Sequence, residues 1–250
     1  MAPANDSDQK IENAPLVTIV LAYYENPGML AFQWRYVANF DADVKANVEI
    51  IVVDDASRSH PAAEIARPKD LPAHSIYRIR HDVRWNQDAA RNIGAHEARG
   101  KWLLLTDIDH VVPQQTIRSL IQMVKNDDAF YSLARVKFDD QSPRESHPNS
   151  YFMTRALYWK IGGHDEDFAG IYGKDFLFRK RAQRIGQEIF LPDAHLARVG
   201  RATIADAGTE TISRNNTLLQ RIWGYLLEFL KALGLWRGVQ TLTCEYTKPV

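Results

Sequence analysis

The sequence predicts an α/β protein with a mainly parallel central sheet and helices on both faces. Three observations carry this. Short apolar runs rich in β-branched residues are too continuous to leave one face in water, helical patterns alternate with them, and acidic residues stand where the runs stop. The first run is Leu16–Ala22 (LVTIVLA), followed by a helical pattern from Gly28 to Phe40 with Leu30, Trp34 and Val37 at near-helical spacing. Val48–Val53 (VEIIVV) and Ser75–Arg80 are the second and third strands, Gln87–Arg99 a helix, and Trp102–Thr106 (WLLLT) the fourth strand. The second half is less regular. Strands are expected at Phe130–Phe138, Ser150–Thr154 and Ile189–Leu191, helices at Ala156–Ile161 and Lys174–Ile185, and a loop at Gly162–Gly173.

Bulk properties narrow the function classes. The formal net charge of zero removes a broad basic footprint, so nucleic acid is not an expected partner. The single cysteine, Cys244, gives neither a disulfide framework nor a Cys-based zinc site and fits a reducing compartment. Residues 1–14 are polar, contain no apolar run like a secretory signal, and read as a disordered tail, so a cytoplasmic location is expected.

In open parallel sheets ligands bind at the carboxyl ends of the strands. Three such ends hold suggestive residues: Tyr23-Tyr24-Glu25, Asp54-Asp55 and Asp107-Ile108-Asp109. Side chains two apart on an extended backbone point the same way, so Asp107 and Asp109 face one spot. Paired hard oxygens suit Mg²⁺ or Mn²⁺, whose shell substrate phosphates and water complete. An isolated Asp-x-Asp also arises by chance as a polar strand end. Asp54 and Asp55 can accept from a nucleobase imide or bind ribose hydroxyls; equally, they can cap a turn. In the segment from Arg84 to Gly94 (RWNQDAARNIG), Arg91 can reach a diphosphate or brace the carboxylates, or simply be a solvated helix residue.

The ordered set LVTIVLAYYEN, EIIVVDDAS, AARNIGAHEARGKWLLLTDID and IGGHDEDFAGIYGKDF resembles the inverting family 2 glycosyltransferases of GT-A (Rossmann-like) fold, over about residues 16–195. The GGHDEDF…GKD block is also similar to the acceptor-side segment of chondroitin-polymerase-like and β-1,4-galactosyltransferase-like enzymes. The resemblance implies a metal-dependent transfer from a nucleotide sugar, a UDP-sugar by analogy, to a hydroxyl of a glycan or other acceptor. Donor-site residues would be Tyr24, Asp54, Asp55, Arg84, Arg91 and Asp107. Asp107 and Asp109 would hold Mn²⁺ or Mg²⁺, with His195 a further ligand in some relatives or an ordinary core or surface residue. Asp165 and Glu166 would meet the acceptor. Asp175 would be the general base, at a helix N-terminus and beside Lys174, both expected to lower its pKa. Two positions depart from the family pattern: Ala22 where Pro is common, and Lys174 where the residue is usually acidic.

The implied organisation is a catalytic domain at 15–199 (nucleotide half 15–112, acceptor half 113–199), a mobile loop at 200–216 acting as a lid, and a helical extension at 217–250. In Leu218–Trp236, Arg221, Gly224, Glu228 and Lys231 share one helical face and apolar residues cover the rest. Three charges make it a poor membrane span. Docking on the catalytic domain, a homodimer contact and a peripheral membrane contact all fit the pattern. Two competing functions stand beside the main one. A sugar-nucleotide pyrophosphorylase would need a Gly-rich loop after the first strand, which AYYENPG does not supply. A non-catalytic nucleotide- or glycan-binding module is disfavoured by Asp175 and left open by Lys174.

Overall fold

The computed structural model describes residues 15–123, 125–147, 149–208 and 215–248; the predicted tail and the 209–214 part of the predicted lid lie outside them. Among the described residues one ten-stranded sheet organises the fold. Its parallel half is β1 (Val17–Tyr23), β2 (Val48–Asp54), β3 (Ala73–Ile79) and β4 (Trp102–Asp107), in the order β3-β2-β1-β4. Every residue of β2 is buried, as expected of a strand covered on both faces. The acid near its start, Glu49, is satisfied by Thr18 Oγ1 (3.0 Å) and by the backbone N–H and Nε of Arg99 (2.9 and 2.7 Å). That cluster lies at the end of the sheet opposite Asp54 and Asp107.

Helices α1 (Pro27–Ala38) and α2 (Ala42–Ala46) follow β1, and α3 (Gln87–Glu97) follows β3. Helix α3 packs so closely on β1 that a Cβ at Gly94 would sit 2.2 Å from Val20 Cγ1, which explains a glycine in mid-helix despite its cost in propensity. Beyond β4 come β5 (His110–Val111), α4 (Gln114–Gln122), β6 (Ala129–Lys137), β7 (Pro143–Arg144), β8 (Tyr151–Thr154), α5 (Arg155–Ile161), α6 (Phe176–Ile185), β9 (Gln187–Arg198), α7 (Leu218–Ala232) and β10 (Tyr246–Thr247). They extend the sheet as β4-β8-β6-β9-β5, with antiparallel β4·β8 and β8·β6 pairs and a parallel β6·β9 pair.

Several elements differ from expectation for identifiable reasons. The predicted strand Ile189–Leu191 is the first part of a twelve-residue β9. Pro192-Asp193 reads as a strand end, but the ladder bulges past it: Leu133 pairs with Leu191, and Ala134 pairs with His195. Helix α4 was not expected, because QQTIRSLIQ buries only Thr116, Ile117 and Leu120. Strand β10 was not expected either. It brings the C-terminal segment back to the open edge of β3, antiparallel, with Arg80 donating to the Glu245 carbonyl (2.9 Å). No helix of the described residues is long and apolar enough to cross a membrane.

Candidate active site

The carboxyl ends of β1, β2 and β4 meet at two adjoining cavities that share Trp85, Gln87, Asp107 and Asp109. The first cavity is completed by residues including Tyr24, Asp55, Ala207 and Gly208. The other is completed by His147, Asn149, Tyr172, Asp175 and Phe176. Trp85, at positive φ (56°), packs edge-on against Tyr172 (4.6 Å between centroids) where the two cavities join.

The two acidic residues at the end of β2 diverge, as strand alternation requires. Asp54 turns inward, 1% exposed, and its oxygens accept from the Ser57 (2.8 Å) and Ala62 (2.9 Å) backbone N–H groups. It shapes the loop after β2 and lines neither of these two cavities, whereas a donor-site role was expected of it. Asp55 does line one. Its Oδ2 accepts from Asn86 N–H (3.1 Å), while the buried Oδ1 has no partner among the described residues. Burial, with Asp82 and Asp54 nearby, pushes its carboxyl well above the usual range. Tyr24 lines the same cavity and its hydroxyl reaches Asp82 (3.4 Å).

At the end of β4, Asp107 Oδ1 accepts from Arg91 Nη2 (2.7 Å) and Gln87 Nε2 (2.6 Å), and Oδ2 lies 3.3 Å from His147 Nε2. Burial opposes ionisation of Asp107, but His147, Arg91 and His110 outweigh it and hold the carboxyl at about 2. Burial also pushes His147 down to about 4, against the pull of Asp107. The His147 ring is therefore neutral near pH 7, and Arg91 is the cation Asp107 keeps. Arg91 is 1% exposed. Of its two expected roles, bracing the carboxylate is the one the geometry gives. Asp109 meets His110 Nδ1 (2.7 Å) and Arg198 Nε (3.3 Å).

Asp107 and Asp109 offer carboxylate oxygens to both cavities, a donor set suited to a hard cation that shares its shell with a diphosphate. A closed protein cage is not formed: among the described residues no three His, Cys, Asp or Glu side chains are arranged to hold a metal. The expected third ligand, His195, is not gathered there. Its recorded contacts are backbone bonds with Thr116 Oγ1 (2.9 and 3.4 Å), and the bulge before it sets its place in the ladder. The imidazoles beside the pair belong to His110 and His147 instead.

Asp175, immediately before α6, borders the second cavity and accepts from Asn149 Nδ2 (2.9 Å). Its pKa is raised, chiefly by burial and then by the charge of Asp107, against the opposing effects of Arg91 and Asn149. The expected lowering by Lys174 fails because the Lys174 ammonium turns away to Glu228 (3.0 Å). Asp88, in the first turn of α3, is the neighbour that sequence reasoning missed. Burial and the charge of Asp175 push it up to about 8. Asp88, at about 8, keeps its proton near neutrality, and both carboxyls are raised by burial and by a neighbouring carboxylate.

A raised folded-state pKa means that the native state binds more protons than the unfolded one. Asp88 therefore costs stability progressively as pH rises from about 4 to about 8. Asp88→Asn should flatten that decline, with a higher melting temperature than the native protein at pH 8.5 and a similar one at pH 4; parallel melting curves would reject the protonated Asp88.

The remaining expected site residues are committed elsewhere. Arg84 donates to the Gly170 (2.8 Å) and Asn215 (3.1 Å) carbonyls and lines neither cavity. Asp165 accepts from Gln240 N–H (3.1 Å) and pairs with Lys231 (2.8 Å). Glu166, 6% exposed, accepts from Asn92 Nδ2, Leu242 N–H and Thr243 N–H (2.7 Å each). Both expected acceptor residues thus hold the C-terminal segment and line neither of the two cavities. The described part of the predicted lid walls the first cavity, and Asp206 accepts from Gly28 N–H (2.7 Å).

Comparisons with known proteins agree with this architecture. The family described as Glycosyl transferase family 2 matches residues 18–182. The succinoglycan biosynthesis protein ExoO of Rhizobium meliloti (strain 1021) is 30% identical over 112 residues, 45% of this chain and 30% of that protein. The dolichol-phosphate mannosyltransferase of Saccharomyces cerevisiae is 30% identical over 115 residues, 45% of this chain and 41% of that protein. In each case the match spans less than half of the relative. Among solved structures, S. aureus TarS 1-349 superposes with a TM-score of 0.59 at 15% identity, covering 76% of this chain and 62% of that one. The mannosyltransferase PcManGT from Pyrobaculum calidifontis gives 0.53 at 18% identity, covering 91% and 67%. The family match covers the parallel half of the sheet and most of the lining of both cavities, and the chain belongs to glycosyl transferase family 2, with a GT-A-like fold.

Proposed function

We propose that the protein is a metal-dependent inverting glycosyltransferase that moves a sugar from a UDP-sugar to an acceptor hydroxyl. The observation that carries this reading is the continuity of the two cavities across Asp107 and Asp109, with Asp55 at one end and Asp175 at the other. Asp55 Oδ1, buried and unpartnered, is the acceptor for a nucleobase imide N–H, and Tyr24 supplies a ring beside the base. An unpaired buried carboxylate oxygen is costly unless a ligand completes it. Related folds have been captured with compatible donors: TarS with UDP-GlcNAc, and PcManGT with GDP-Man and Mn²⁺.

Asp107 and Asp109 would hold Mn²⁺ or Mg²⁺ against the diphosphate. When bound, such an ion supplies Lewis-acid stabilisation of charge on the leaving group. The protein's own residues do the rest. The acceptor hydroxyl oxygen bonds to the anomeric carbon from the face opposite the diphosphate, the bond from that carbon to the phosphate oxygen breaks, and Asp175 takes the hydroxyl proton. Asn149 orients the carboxylate, and Asp88 remains protonated so that it does not compete for that proton. Arg91 fixes Asp107 from beneath. The likeness to chondroitin-polymerase-like and galactosyltransferase-like enzymes brings no acceptor residue with it, because Asp165 and Glu166 are occupied, so the acceptor is proposed only as a glycan or other hydroxyl compound.

Titration of UDP and GDP into the protein with and without Mn²⁺ tests the donor half. Affinity for UDP should rise at least about tenfold with the metal, equivalent to about 1.4 kcal/mol, and Asp109→Asn should abolish the increment. UDP affinity that ignores Mn²⁺ rejects the metal role, and preference for GDP rejects the UDP assignment. Release of free sugar from the preferred donor separates an enzyme from a binding module.

A further inference from the structure

Helix α7 is docked the wrong way out for a core helix. A helix packed on a protein body normally turns its apolar stripe inward. Here the inward stripe is Gln220, Gly224, Leu227, Glu228 and Lys231. Gln220 Nε2 donates to the Gly170 carbonyl (3.2 Å), Glu228 pairs with Lys174 (3.0 Å), and Lys231 pairs with Asp165 and Asp167 (2.8 Å each). Leu227, 1% exposed, is the main apolar contact, in a small cluster with Phe168 and Ile171. Gly224 permits the close approach, since a Cβ there would stand 3.1 Å from Lys174 Cε. Docking therefore uses the polar face, and the apolar face is left outside. Leu219 is 79% exposed, Tyr225 69% and Phe229 59%, with Ile222, Leu226 and Leu233 completing the surface. Ion pairs hold the helix firmly enough to keep that surface presented, so it is not a frayed end.

We infer that this outer face of α7 lies on an anionic lipid surface. Two features select that occupant over a second copy of the chain. The first is charge. On and directly under the helix stand Lys174, Lys180, Arg221, Lys231 and Arg237 against Asp165, Asp167 and Glu228. Lys180 and Arg237 are 58% and 60% exposed, against 30% for Glu228 and 5% for Asp167, and Arg221 is exposed as well. Cations therefore predominate among the outward charges beside the apolar face, whereas Lys174 and Lys231 are tied down beneath the helix. A rim of this sign complements anionic headgroups, whereas two copies meeting face to face would bring like charges together. The second is composition. Tyr225, Trp223 and Trp236 are side chains with one apolar and one polar end, favoured at a membrane–water boundary, and the two indoles pack edge to face at 5.9 Å.

The surface also leads to the reaction site. The Lys174 ammonium lies over both the Tyr225 ring (4.5 Å) and the Phe176 ring (5.9 Å), and Phe176 borders the cavity containing Asp175. The second cavity thus opens beside the lipid-facing surface. The inference about lipid binding does not depend on the proposed reaction.

The test is flotation of the full chain with vesicles of phosphatidylcholine alone and with about one-third phosphatidylglycerol. The native protein should float with the anionic vesicles, with a blue shift of tryptophan emission, and weakly or not at all with phosphatidylcholine. An Ile222→Glu/Phe229→Glu variant should lose about tenfold or more of that binding while keeping its melting temperature and UDP affinity, because both side chains point away from the body. Failure of the native chain to float with anionic vesicles overturns the inference, as does flotation that the variant leaves intact. A concentration-dependent dimer that the same variant dissolves, without flotation of the native chain, assigns the face to a second copy and overturns it equally.

Discussion

Asp175→Asn should keep nucleotide affinity and lose roughly 10²–10⁴-fold in turnover, the usual range for removal of a general base. Affinity should persist because Tyr24 and Asp55 sit at the far end of the paired cavities and share no hydrogen bond with Asp175. The substitution is nearly isosteric, and Asn149 can still bond to an amide oxygen, so the fold has no reason to yield. The pH profile gives a second readout. A base works only when ionised, and burial raises the pKa of Asp175. The native enzyme should therefore lose kcat/KM as pH falls through a value above the ordinary carboxylate range. That acid limb should be absent from the residual activity of the variant. Near-native turnover in Asp175→Asn would remove it from the chemistry.

The second large effect is structural. Arg91→Met should cost on the order of 3 kcal/mol, the usual consequence of removing one partner from a buried ion pair. For a chain of this size that corresponds to a melting temperature lower by roughly 6–12 °C. The guanidinium is buried under Asp107 and offsets the charge of Asp175 as well, so its loss leaves the Asp107 and Asp175 carboxylates uncompensated beside Asp88. The sign of the pH dependence follows. Asp107, held at about 2, contributes stability above its unfolded pKa near 4, and that contribution disappears as pH falls through about 2. Without Arg91 the benefit becomes a penalty at neutral pH and relaxes where the carboxyls protonate. Thermal melts at pH 7 and pH 4 should show a larger deficit at pH 7. Equal deficits would mean that the methionine fails by packing alone. Arg91→Lys keeps the charge but not the planar fork, and should recover only part of the loss.

The parallel half was legible in the sequence because its strands are buried on both faces and so read as unbroken apolar runs ending in charge. β1, β2 and β4 begin and end within a residue or so of LVTIVLA, VEIIVV and WLLLT. The paired aspartates after β4 were readable for the same reason. What failed was contingent on long-range contact. Nothing local says that the carboxylates of Asp165 and Glu166 will be taken up by residues some seventy-five positions later, or that Lys174 will turn to Glu228. His147 and Asp88 had signals too weak to notice, a lone histidine in a polar loop and an acid in the first turn of a helix. Only the approach of β8 and α6 to the end of β4 gives them partners. His195 illustrates the opposite error, a residue type in a plausible place whose orientation a three-residue bulge decides.

The hold of Glu166 on Leu242 and Thr243, together with the addition of β10 to β3, has a consequence for the order of synthesis. As the chain leaves the ribosome, the parallel half is complete in sequence long before the last segment emerges. Until then the carboxyl end of β3, at Arg78 and Ile79, lacks its antiparallel partner and leaves backbone N–H and C=O groups there as a template for pairing with another chain. Over the same interval the Glu166 carboxylate lacks its two backbone donors. Translation of residues 240–247 therefore acts as a latch, and a nascent chain stalled before it would expose an adhesive strand edge even though both cavities had already been encoded.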